Sequence, residues 1–149
     1  MRTFVTKEFT FAAAHSLSKY HGKCERMHGH NYKLQVTVEG EVQSNGLVID
    51  FVILKKIVKE RILNKYDHQN LNEFFENSTA ENVAQAIWDE LVDLPVLLKA
   101  ERDDPNMPEE IAALLDGDGE ARKEINEKVR LYEVKLWETD TSFVTLRAE

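Results

Sequence analysis

His30-Asn31-Tyr32-Lys33-Leu34-Gln35-Val36-Thr37-Val38-Glu39 is the stretch that decides the fold. Tyr32, Leu34, Val36 and Val38 alternate with Lys33, Gln35, Thr37 and Glu39, the period-2 pattern of a strand with one face buried. Toward the N-terminus, Phe4 to His15 reads as a second strand. Val5, Phe9, Phe11 and Ala13 share its inward face, interrupted only by Lys7. Residues 16–27 are polar and mixed, and predict a long loop.

Toward the C-terminus, Gly40 and Asn45-Gly46 mark a turn region. Asp50 is placed to cap a first helix, with Phe51, Leu54, Val58 and Ile62 on one face and an end near Asn64-Lys65. Ser78-Thr79-Ala80-Glu81 has the capping-box pattern of a second helix. That helix is expected to bury Val83, Ile87, Leu91 and Leu94, and Pro95 limits its continuation. The chain closes with a hairpin: Tyr132, Val134 and Leu136 on one face of the first strand, Thr139-Asp140-Thr141 as the connection, and Phe143 to Arg147 as the second strand. The expected fold is α+β, in the order β-β-α-α-β-β, with antiparallel pairing because the connections within each strand pair are short.

Residues 95–128 differ from their surroundings. They hold all three prolines and the acidic turn Asp116-Gly117-Asp118-Gly119. We read them as an insertion on a single domain spanning 1–149. Two short helices fit near 108–115 and 119–128, and no chemistry is visible there.

The 149 residues suit one domain, and 42 % hydrophobic content supports a core. With 19 Lys and Arg against 27 Asp and Glu, the net charge is −8. That disfavours nucleic acid as the main partner, because phosphate binding needs a cationic face. No apolar run reaches a membrane span, and the first residues lack a signal-peptide pattern. The single cysteine, Cys24, excludes an internal disulfide framework. A cytoplasmic, soluble domain is the expectation.

Four of the five histidines lie between His15 and His30. His28-Gly29-His30 opens the second strand, and side chains two apart on a strand leave the same face. Both share the parity of Tyr32, Leu34 and Val36. His15 ends the first strand with the parity of Phe9, Phe11 and Ala13. If the strands are neighbours, three imidazoles meet, and three neutral imidazoles with an open position describe a catalytic zinc site. A lone H-x-H is equally an ordinary loop pair, and His21 competes as a ligand from mid-loop.

Other positions carry more than one reading each. Cys24 is a fourth metal ligand, an inert thiol, or a reactive thiolate. Asp67-His68 is an acid–base pair or a helix stop followed by a turn. Glu138 either continues the inward parity of its strand, where a carboxylate needs paired N–H donors, or lies past the strand end in water.

Taken together, these residues resemble the 6-pyruvoyltetrahydropterin synthase family, which includes the 6-carboxytetrahydropterin synthases of queuosine biosynthesis. The carriers are Phe11-Ala12-Ala13-Ala14-His15, Gly22 through Tyr32, Asp67-His68-Gln69-Asn70-Leu71, Thr79-Ala80-Glu81-Asn82-Val83 and Trp137-Glu138-Thr139. The three residues between Cys24 and His28 are similar to the bacterial 6-carboxytetrahydropterin type; the biopterin-pathway enzymes tend to a longer spacing. The resemblance implies the tunnelling fold, a four-stranded antiparallel sheet with two helices on one face, with subunits assembling into barrels, commonly hexamers. It implies zinc on His15, His28 and His30, Cys24 as catalytic base, and Asp67 with His68 as a second proton-transfer pair. It implies that Glu138 anchors the pterin and that Thr79 lines its pocket. The implied substrate is 7,8-dihydroneopterin triphosphate, with Lys19, Lys23 and Arg26, or a neighbouring subunit, as candidates to meet its phosphates. The implied products are 6-carboxy-5,6,7,8-tetrahydropterin, acetaldehyde and triphosphate. The alternatives are formation of 6-pyruvoyltetrahydropterin by triphosphate elimination, and a non-catalytic zinc-stabilised assembly protein.

Overall fold

A computed structural model describes residues 1–17, 26–107, 109 and 128–149. Two long strands, β1 (Thr3–His15) and β2 (His28–Gly40), pair antiparallel along their whole length, from Thr3 opposite Gly40 to His15 opposite His28. The helical layer begins at α1 (Phe51–Val58), which widens into a π-helical turn (Lys59–Leu63) and closes in α2 (Asn64–Tyr66). A short β3 (Gln69–Asn70) follows, then α3 (Ala80–Leu91) and α4 (Leu94–Asp103). The hairpin β4 (Arg130–Thr139) and β5 (Ser142–Arg147) completes the sheet.

The sheet order is β3-β1-β2-β4-β5. The sheet therefore has five strands rather than the expected four. The extra one, β3, runs parallel to β1 through only two pairs, Ala13–Gln69 and Ala14–Asn70, and two residues carry no alternation to read. The alternation does hold on β1 and β2. Phe9, Phe11, Ala13 and His15 are buried, as are Tyr32, Leu34, Val36 and Val38. They face a layer made of Ile53, Leu54, Ile57, Val58 and Ile62 from the first helical run and Val83, Ala84, Ile87 and Leu91 from α3.

Several local expectations are corrected. Asp50 does cap α1, its Oδ1 accepting from Val52 N–H at 2.7 Å, but Phe51 stands outside the buried face at 52 % exposure. It is the first helical residue, at the edge of the apolar stripe. Thr79, rather than Ser78, caps α3, accepting from Asn82 N–H at 3.2 Å. Leu94 belongs to α4, where Pro95 sits in the first turn and so displaces no helical hydrogen bond. Residues 95–103 are thus helical, with Leu97 in the core and Lys56 paired to Glu101. The expected helices near 108–115 and 119–128 fall almost wholly outside the described residues.

Tyr132 is likewise displaced from the inward face. Thr37 pairs with Glu133 but Val38 pairs with Leu131, so Tyr132 is the extra residue of a β-bulge. Leu131 is buried in its place, and Tyr132 packs on Phe4 with ring centroids 4.6 Å apart. Glu39, expected to face water, is buried between Arg2 and Arg130. The Arg2 guanidinium, helped by Arg130 and opposed by desolvation, holds its carboxyl below the usual range. No helix among the described residues is long and apolar enough to cross a membrane.

Candidate active site

The antiparallel pairing of β1 and β2 sets His15 opposite His28 and Ala13 opposite His30. The three imidazoles therefore converge at one end of the sheet, on its helix-covered face. Ring centroids are 4.6 Å apart for His15 and His28, 5.0 Å for His15 and His30, and 4.7 Å for His28 and His30. One nitrogen from each lies within 4.8 Å of the others.

Backbone carbonyls fix two of the tautomers. His15 Nδ1–H donates to the Ser78 carbonyl at 2.8 Å, and His28 Nδ1–H donates to the Arg26 carbonyl at 2.7 Å. A carbonyl only accepts, so each Nδ1 carries the proton and each neutral ring keeps its Nε2 lone pair. Those two Nε2 atoms face each other at 3.1 Å. His30 Nε2 is buried without a hydrogen-bond partner. Burial lowers the His30 pKa below the ordinary value; Glu138 opposes this, and His15 and His28 add to it. Three imidazoles whose ring nitrogens converge this closely could hold a divalent metal ion, and imidazole suits zinc among others.

The Ser78 carbonyl is itself held. Asn72 accepts from Ser16 N–H at 2.8 Å and donates back to the Ser16 carbonyl at 2.9 Å. The Ser78 hydroxyl is 3.3 Å from both the Ser16 carbonyl and Asn72 Oδ1. Ser78 is fully buried. This polar lock reaches His15 through two hydrogen bonds, and nothing in the residue pattern marks it, because a carbonyl acceptor leaves no residue-type signature. Thr79 is the next residue, its hydroxyl engaged with the α3 cap.

Asp67 and His68 dock on β1 from the other side. Asp67 Oδ1 accepts from Ala12 N–H at 2.9 Å, and His68 N–H donates to the Ala12 carbonyl at 2.6 Å. Asp67 Oδ1 is also 3.0 Å from His68 Nδ1. The Ala12 N–H, with a further contribution from His68, holds the Asp67 carboxyl below its ordinary pKa against a smaller desolvation effect. His68 adopts φ 60°, the left-handed region, and its imidazole is 81 % exposed. A non-glycine residue there is uncommon and is held by its surroundings. A cavity of about 480 Å³ lies between this segment and β2, lined by Ala12, Ala14, Gly29, His30, Asn31 and His68 among others.

Glu138 sits at a second bulge, between Trp137 paired with Phe143 and Thr139 paired with Ser142. Its carboxylate lies 3.4 Å from His30 Nε2. Tyr32, read from the sequence only as core, is the other unexpected neighbour. Its ring is fully buried and stacks on Phe11 with centroids 4.9 Å apart, yet its hydroxyl has no partner. Cys24, His21, Lys19 and Lys23 lie outside the described residues.

The profile of a family described as 6-pyruvoyl tetrahydropterin synthase matches residues 4–107. A 6-carboxy-5,6,7,8-tetrahydropterin synthase from Haemophilus influenzae is 36 % identical over 148 residues, covering 93 % of this chain and 94 % of the relative. A putative 6-carboxy-5,6,7,8-tetrahydropterin synthase from Archaeoglobus fulgidus is 46 % identical over 84 residues, 56 % of this chain and 71 % of the relative. Among solved structures, the 6-pyruvoyl tetrahydropterin synthase of Caenorhabditis elegans superposes with a TM-score of 0.68 at 28 % identity, covering 100 % of this chain and 97 % of that one.

Proposed function

The chain belongs to the 6-pyruvoyl tetrahydropterin synthase family, an enzyme family with the tunnelling fold, and on that premise we propose that it is a zinc-dependent carbon–carbon lyase. Its substrates are 7,8-dihydroneopterin triphosphate and one water molecule, consumed as the triphosphate leaves, and its products are 6-carboxy-5,6,7,8-tetrahydropterin, acetaldehyde and triphosphate, as in queuosine biosynthesis. The observation that carries this reading is the meeting of His15, His28 and His30 with a carboxylate, Glu138, at 3.4 Å from one of them. The 36 % identity to the full-length Haemophilus influenzae enzyme supports this product over 6-pyruvoyltetrahydropterin.

Zinc held by His15, His28 and His30 supplies Lewis-acid stabilisation of charge developing on the substrate's side-chain oxygens. Cys24 serves as the base that removes a carbon-bound proton. His68 donates or accepts a proton on the other side, and Asp67, kept ionised by the Ala12 N–H, orients its imidazole. Glu138 accepts the N–H edge of the pterin, a paired geometry suited to a carboxylate. Thr79 lines the pterin pocket beside Ser78. Arg26, Lys19 and Lys23, or cationic residues of a neighbouring subunit, are the candidates to meet the triphosphate.

We place the protein in the cytoplasm as a homo-oligomer, a hexamer by resemblance to its family. Among the described residues β5 has no strand on its outer side, and β3 covers only the His15 end of β1. Open edges of this kind favour pairing with another copy.

Incubation with dihydroneopterin triphosphate and mass analysis of the products tests the reaction. 6-Carboxy-5,6,7,8-tetrahydropterin with acetaldehyde supports it. 6-Pyruvoyltetrahydropterin replaces it with the elimination reaction. No consumption of substrate, with zinc still bound and lost from Cys24→Ala, favours a structural zinc site.

A further inference from the structure

The β2–β4 pairing ends at Lys33 opposite Trp137, and Trp137 also pairs with Phe143 on β5. Beyond that rung the β4–β5 register shifts, and the next pair is Thr139 with Ser142. Glu138 is therefore the unpaired residue of the bulge, and no residue on a neighbouring strand stands opposite it. Its carboxylate nonetheless lies on the helix-covered face, 3.4 Å from His30 Nε2.

On the opposite face, Trp137 is held from three sides. Lys33 Nζ lies 4.2 Å from a ring centroid of its indole and Lys135 Nζ 5.5 Å, and the Phe143 ring packs against it with centroids 5.2 Å apart. Lys135 Nζ also lies 5.2 Å from the Phe143 centroid. An ammonium within about 6 Å of an aromatic face is attracted by the ring's electrons, most strongly by an indole. Neither lysine forms an ion pair among the described residues, so the aromatic faces are what hold both ammonium groups.

Successive side chains of a strand leave opposite faces, and a slip of one residue exchanges them. A bulge is where a strand re-aims a side chain. Were this bulge one residue earlier, Glu138 would stand opposite Phe143 and share its exposed face, away from the histidines. With the indole pinned on that face, the extra residue stays at Glu138.

We infer that Trp137 is a positioning residue for Glu138: the clamp of Lys33, Lys135 and Phe143 on its indole keeps the bulge in the frame that turns the carboxylate toward the histidine cluster. The inference rests on the reading above that Glu138 accepts the N–H edge of the pterin. It gives side chains on the uncovered face of the sheet a share in the affinity of a site on the covered one.

The test uses the zinc-loaded full chain and 7,8-dihydroneopterin, the substrate without its phosphates, as the probe in equilibrium binding. Glu138→Ala is expected to weaken probe binding about tenfold or more, the scale of hydrogen bonds to a charged group. Trp137→Ala is expected to cost a similar factor. Trp137→Phe, which keeps a ring for the clamp, should stay within about threefold of the unmodified protein. The double variant Trp137→Ala, Glu138→Ala should bind within about twofold of Glu138→Ala alone, because residues acting through one another do not add. Zinc content should be the same in all of them, since the three histidines lie on β1 and β2.

Unaltered probe binding in Trp137→Ala, beside a loss in Glu138→Ala, overturns the inference. A Trp137→Ala loss that persists in full without Glu138 overturns it too, because the indole then acts by another route. Should Trp137→Ala fail to fold, the pair Lys33→Met, Lys135→Met replaces it, keeping the indole and the lysine stems. That protein is expected to bind the probe about threefold more weakly, the scale of a surface cation–aromatic contact, and only where Glu138 is present. Unchanged affinity there overturns the inference. Unchanged binding in Glu138→Ala, or no binding by the unmodified protein, is instead a failure of the underlying reading and removes the inference with it.

Discussion

His15 Nε2 and His28 Nε2 face each other at 3.1 Å while both Nδ1 protons are committed to backbone carbonyls. Two lone pairs at that distance repel unless a cation stands with them. The arrangement is therefore a ligand set oriented in advance, and it leads to the first expectation.

About one zinc ion per chain should be found by elemental analysis of the purified protein. His28→Ala or His30→Ala should lose both the metal and the activity. Full zinc occupancy in the double variant would remove the assignment.

Asn72 should control metal affinity from a distance. Its two bonds to the Ser16 backbone hold the segment whose Ser78 carbonyl sets the His15 tautomer. Partners one step behind a ligand typically change metal affinity by roughly 10- to 100-fold. Asn72 stands one step further back than such a partner, so Asn72→Ala should weaken zinc binding by up to about tenfold, with His30→Ala as the reference for complete loss. An unchanged affinity would show that the carbonyl holds its place without Asn72.

Asp67 gives the fold a sensitivity to acid. Its folded pKa lies below the ordinary value, so the unfolded chain binds this proton more readily. Its contribution is present above the unfolded carboxylate value of about 4 and is lost as the pH falls through the lower folded value. Urea midpoints of the unmodified protein and Asp67→Asn should differ at pH 7 and converge toward pH 3. A constant difference across that range would contradict the linkage.

Cys24 separates catalysis from structure. Cys24→Ala should keep its zinc and its melting temperature while turnover falls roughly a hundredfold or more, the range for loss of a general base. Loss of zinc together with lowered thermal stability would make Cys24 a ligand of a structural site instead.

The open sheet edges carry the last expectation. Solution scattering at micromolar concentration should give a mass several times that of the 17.2 kDa chain. A monomeric mass would contradict assembly.

The sequence made the histidine cluster legible because strand parity survives folding: His15, His28 and His30 share faces with Phe11 and Tyr32 in one dimension and in three. Other features have no such local mark. The bulge at Tyr132 slips the pattern by one residue and exchanges Tyr132 for Leu131. Glu39 is buried because Arg2 and Arg130, 37 and 91 residues away, arrive to pair with it. The Ser78 carbonyl could have been supplied by any residue type, so its role is a property of the backbone path. Tyr32 looks like ordinary core until its hydroxyl is followed to its surroundings.

The His15–Ser78 hydrogen bond spans 63 residues, whereas the three imidazoles all lie within the first 30. A growing chain therefore displays the whole donor set well before it contains the carbonyl that orients His15. Those first 30 residues alone offer three histidines of which His15 lacks the carbonyl that sets its tautomer, a looser and less selective donor set. Only when α3 has docked and brought Ser78 against the strand does the site acquire its fixed geometry. On the proposed metal reading, tight capture would be tied to completed folding, and occupancy of the site would report that the helical layer has closed on the sheet.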